Sequence, residues 1–164
     1  MISKTYILAN LRRLDAAYGQ ATHQKHAFYF SKLAILELCG WIEMSMDDIV
    51  MCHCRRNVRE QKYRDYVKKQ IVDRTYGFDY ERHFKSMLIR LVGVIAFEKI
   101  ERNISVPIQT RFIAELGNLK SLRDGLAHTY AKHVPMIDAP STTTGRFTSL
   151  YAGLKAYDDA LRSR

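Results

Sequence analysis

Arg123, Asp124, His128 and Tyr130 stand within the stretch SLRDGLAHTY, from Ser121 to Tyr130. At ~100° per residue, Asp124 and His128 become i, i+4 neighbours on one edge of a helix. Arg123 and Tyr130 lie two turns apart on nearly the same line. Histidine exchanges a proton near neutral pH. Arginine stays charged and forks onto phosphate oxygens. RNA carries its own nucleophile, the 2′-hydroxyl. A base that removes that proton, with a cation at the phosphate, cleaves RNA without a metal and leaves a 2′,3′-cyclic phosphate and a 5′-hydroxyl. Each residue also has a purely structural use: His128 as a core or capping side chain, Asp124 as its partner, Tyr130 as a packed aromatic. Gly125 costs about 1 kcal/mol relative to alanine inside a helix, so it marks either a close approach or a small break.

The stretch resembles the signature of the HEPN domain family, R-x4-H-x-Y in its toxin-type form. Arg123, His128 and Tyr130 match it position by position, and Asp124 takes the polar place after the arginine, where Asn is more familiar. The likeness spans about fifteen residues, LKSLRDGLAHTY into AK. It implies an all-α bundle that forms a homodimer with the motif helices facing each other. It implies metal-independent endoribonuclease activity in toxin–antitoxin or phage-defence systems. In one branch a nucleotidyltransferase antitoxin attaches AMP to the motif tyrosine, here Tyr130. The family also holds members that bind RNA, nucleotides or proteins without cleavage.

A second candidate is the segment RRNVREQKYRDYVKKQIVDR. Read as one helix, it sets Arg55, Arg59, Lys62, Tyr66 and Lys69 within about 80° of one another. Cations interleaved with aromatics suit phosphates and stacked bases. The alternative is a solvated charged face. The chain carries a formal net charge of +9, which points to nucleic acid or an acidic protein as partner. A membrane fits poorly: the start, MISKTYILANLRRLD, has no apolar signal core, and FKSMLIRLVGVIAF is too short to span a bilayer.

Cys39, Cys52 and Cys54 are odd in number and lack framework spacing, which predicts reduced thiols and a cytoplasmic protein. In MCHCRR, Cys52, His53 and Cys54 are too nearly adjacent for an ordinary tetrahedral zinc site. The motif chemistry requires no cofactor.

The elements that must position these residues are helical. The 164 residues include three prolines and eight glycines, and 47% are hydrophobic, enough for one domain with a real core. Apolar spacing predicts helices over about Lys4–Tyr18, Thr22–Met51 or a little beyond, the basic segment, Asp79–Arg102, Ile108–Lys132 with a break near Gly117–Asn118, and Phe147–Leu161. The fourth, with Phe84, Leu88, Leu91, Val92 and Ile95, reads as the buried centre. HVPMIDAPSTTTG reads as a loop. Glu37, Trp41 and Asp48 share a different stripe on the second helix; as acid–base groups these carboxylates lack anything near them in sequence that completes a site, so they read as a solvated or partner-facing edge. No segment alternates as a strand. The expected architecture is all-α, an up-and-down bundle with additional helices.

Overall fold

The computed structural model describes residues 2–127 and 136–163. Among them every regular element is helical: α1 (Thr5–Gly19), α2 (Gln24–Asn57), α3 (Gln61–Val67), α4 (Ser86–Val92), α5 (Val94–Arg102), α6 (Val106–Ala127) and α7 (Pro140–Arg162). α3 runs on into a π-helical turn, Lys68–Val72, and another, Tyr80–Lys85, leads into α4.

The 34-residue α2 is the spine. Ile35, Leu38, Ile42, Met46, Ile49 and Val50 recur at helical spacing and are buried. α1 lies along α2 through Ile7 and Leu11, and α7 packs on α1, α2 and α6. Phe112, Leu116 and Leu119 bury one face of α6, which carries it unbroken past Gly117 and Asn118. The break expected there is absent because that burial outweighs the low helix propensity of the two residues.

Three other expectations change. The fourth predicted helix is divided at Gly93, whose φ of +81° favours a residue without Cβ. The turn re-phases the helix: Phe97 and Ile100 enter the core, while Ile95, expected inside, is 73% exposed. The last helix starts seven residues early, at Pro140, its fixed φ suiting the first helical position after the extended Ala139. The basic segment is not one helix. Arg55 lies in the last turn of α2, Val58 turns extended, and Arg59 sits in the connection before α3. Arg64 pins this turn, its Nε donating to the Val58 carbonyl at 2.8 Å and its Nη2 to that of Arg55 at 3.3 Å. Those carbonyls belong to a helix end that lacks intrahelical donors.

A buried polar knot ties the far side of the bundle. The Tyr80 hydroxyl contacts the Tyr157 hydroxyl at 2.6 Å and donates to Glu101. Gln109 Nε2 donates to Tyr157 at 3.2 Å and to Glu101 at 3.1 Å. Burial is the main cause that raises both tyrosine pKa values, so both stay protonated donors.

Candidate functional site

Arg123 sits in the last turns of α6, against the middle of α2. Its Nε and Nη2 donate to Asp124 Oδ1 at 3.0 and 2.9 Å, and its Nη1 donates to Glu43 Oε1 at 3.2 Å. The guanidinium lies 4.9 Å from the centre of the buried Phe78 ring, a cation–π contact that fixes its plane. Asp124 also meets Lys120 Nζ at 3.4 Å. The hydrogen bond from Arg123 is the chief reason the Asp124 carboxyl is held below its ordinary range, so it stays charged. Three of the five guanidinium N–H donors are thereby used, leaving two among the described residues. Asp124 thereby orients the arginine.

Beside Arg123 opens a cavity of about 390 Å³, lined among others by Glu43, Asp47, Asp73 and Tyr76. Spacing within the motif did not point to Glu43 and Asp47. They stand one turn apart on α2, Glu43 eighty residues before Arg123, and only the fold brings them to it. Partial burial, then the negative charges of Glu43, Asp48 and Asp73, push Asp47 up to about 6. Cys39 is also within the electrostatic reach of Arg123. Burial pushes its thiol to about 12, which makes it an unreactive packing residue. Burial raises Cys54 as well, and all three cysteines are free. Among the described residues no three His, Cys, Asp or Glu side chains form a metal-holding group.

The raised Asp47 gives a stability prediction. A carboxyl whose folded pKa of about 6 exceeds its ordinary 3.8 binds its proton more tightly when folded. Its charge therefore opposes folding above about pH 6, and the penalty fades as pH falls toward about 4. Asp47→Asn should stabilise the protein at pH 8 by about 1 kcal/mol, after allowance for solvent screening. Urea unfolding midpoints across pH 4–8 check this. A difference that does not shrink toward acid pH contradicts it.

Arg55, Arg59, Lys62, Tyr66 and Lys69 are all exposed, but they spread over α2, the connection, α3 and the π-helical turn. Lys62 is engaged, at 2.8 Å from Glu60 and 4.8 Å from the Tyr63 ring centre. His128 and Tyr130 lie outside the described residues. No helix among the described residues is long and apolar enough to cross a membrane. Comparison with known proteins finds no family model, no curated protein and no solved structure that matches the chain.

Proposed function

We propose that the protein is a metal-independent endoribonuclease of HEPN type, a homodimeric toxin or defence effector acting on RNA in the cytoplasm. The observation that carries the reading is Arg123. It is part of an R-x4-H-x-Y set, it stands at the rim of an open cavity, and its plane is fixed by Asp124, Glu43 and Phe78, with two N–H donors unengaged among the described residues. In this reading His128 accepts the 2′-hydroxyl proton as O2′ attacks phosphorus. Arg123 stabilises the charge that builds on the phosphorane. The 5′ oxygen leaves as its bond to phosphorus breaks and takes a proton from the imidazolium, so the products are a 2′,3′-cyclic phosphate and a 5′-hydroxyl. Tyr130 lines the groove and is the residue that a nucleotidyltransferase-type antitoxin would modify with AMP. Two copies facing across a two-fold axis supply two Arg and two His to one groove. The direct test is RNA incubated with the protein in EDTA, followed by analysis of the ends.

A second reading is a non-catalytic helical module for RNA, nucleotide or protein, and one feature favours its protein-binding form. Two carboxylates hold Arg123 and two more line the cavity beside it, so an incoming phosphate meets a negative field. RNA, nucleotide or protein binding by the wild type without any cleavage would select it.

The basic residues serve as holders of flanking phosphates in the first reading. Changing Arg55, Arg59, Lys62 and Lys69 to alanine should then weaken binding across RNA sequences. The slope of log affinity against log salt should flatten by ~0.7 for each phosphate that is no longer neutralised. An unchanged slope in a filter-binding titration would make these residues a solvated face.

A further inference from the structure

α2 buries one side and leaves an apolar stripe on the other. Leu33, Leu36, Gly40 and Met44 fall within about 80° of one another, diametrically opposite Leu38 and Ile42. Met44 is 70% exposed, and beside it on α1 Tyr6 is 81% exposed. A Cβ built on Gly40 would meet nothing within 4 Å. The two helices enclose a groove of about 430 Å³. Trp41 is fixed in its wall: the indole Nε1 donates to the Ser3 carbonyl at 2.8 Å, and the ring lies 4.9 Å from that of Phe147. A helix that is apolar on its outward side needs a covering partner.

Charge says which. Glu37 and Asp48 flank this stripe on one side and Glu43 on the other, Asp47 stands on it just past Met44, and all four fall within twelve residues of a chain that is +9 overall. Glu37 and Asp48 line the groove itself, about 16 Å apart along the helix. Among the described residues Glu43 alone of the four is bridged, by Arg123, Glu37 accepts only from the neutral Asn10 at 3.2 Å, and Asp47 and Asp48 form no salt bridge. A nucleic acid would be repelled here. A second copy crossing at Gly40 would set four more carboxylates against these four.

We propose that this groove docks an amphipathic helix from a protein partner, apolar at i, i+3, i+4 and i+7, with Lys or Arg on its flanks. Gly40 is the saddle that admits its backbone, and Glu37 and Asp48 receive its cations. The inference is independent of RNA cleavage.

The probe is a synthetic helix of about 18 residues, long enough to reach both carboxylates, with Leu at those positions and Lys on the flanks. Its control carries Glu in place of Lys. Trp41, the chain's single tryptophan, reports docking through its emission, and the anisotropy of a labelled peptide gives affinity. The Lys peptide should shift Trp41 emission and bind at least ~10-fold tighter than the Glu peptide, weakening as salt rises. Gly40→Phe, which fills open space and leaves the helical spectrum intact, should weaken it at least ~10-fold. Glu37→Lys with Asp48→Lys should reverse the preference between peptides. Equal binding of both peptides, or Gly40→Phe binding as the wild type does, overturns the proposal. So does absence of binding at ~100 µM peptide, far above the Kd of a specific helix-in-groove complex, or sedimentation showing a wild-type dimer that Gly40→Phe turns into monomers.

Discussion

Arg123→Ala and His128→Ala should each lower the rate of RNA cleavage in EDTA by at least ~10²-fold, the usual scale for one electrostatic or acid–base group. In the proposed mechanism the two losses have different causes. His128→Ala removes the proton acceptor and should also flatten the pH–rate profile. Arg123→Ala removes the phosphate cation and leaves Glu43 and Asp124 without the guanidinium that joins them. Arg123→Lys separates charge from geometry. The ammonium keeps the positive charge but lacks the planar fork that meets Asp124 with Nε and Nη2 while Nη1 reaches Glu43. It should recover only a small part of the activity. Circular dichroism and urea midpoints keep folding out of the comparison. Full activity in His128→Ala would remove the histidine from the mechanism.

The largest stability effect is expected far from the site, at Gly153. There α7 crosses α6 so closely that a Cβ would stand 2.3 Å from Phe112 Cγ and 2.5 Å from its Cβ. Phe112 has nowhere to go. It is fully buried, with the rings of Tyr80, Phe84 and Tyr157 centred 6.3, 6.1 and 6.0 Å away. Gly153→Leu should cost at least ~3 kcal/mol through overpacking, roughly 10 °C in Tm for a chain of this size. Gly145 on the same helix is the control, since a Cβ there meets nothing within 4 Å. Gly145→Ala should raise stability by about 0.5–1 kcal/mol. Differential scanning calorimetry measures both, and a Gly153→Leu melt equal to the wild type would contradict the tight crossing.

The periodic apolar faces were legible in the sequence. Ile35, Leu38, Ile42, Met46 and Ile49 lie where helical spacing puts them, and so do Phe147, Leu150, Leu154 and Leu161. What escaped was of two kinds. Local breaks such as Gly93 and the Val58 turn are decided by one residue's dihedrals or by a distant side chain such as Arg64, and an averaged apolar pattern does not carry them. Pairings across the fold escaped as well. Arg123 meets Glu43 and Tyr80 meets Tyr157 over separations of 80 and 77 residues, and helical spacing within one segment says nothing about them. The one-helix reading of the basic segment failed for the first reason, since an interrupted helix does not keep a common face.

Whether Arg123 and His128 cut RNA with its own 2′-hydroxyl is read from the chemistry of the ends made by the wild-type protein in EDTA, with the Arg123→Ala/His128→Ala double variant prepared in parallel. The wild type should leave 2′,3′-cyclic phosphate and 5′-hydroxyl ends and the double variant none. Ends bearing a 3′-hydroxyl and a 5′-phosphate, or the same ends and yield from the double variant, would contradict the proposed mechanism.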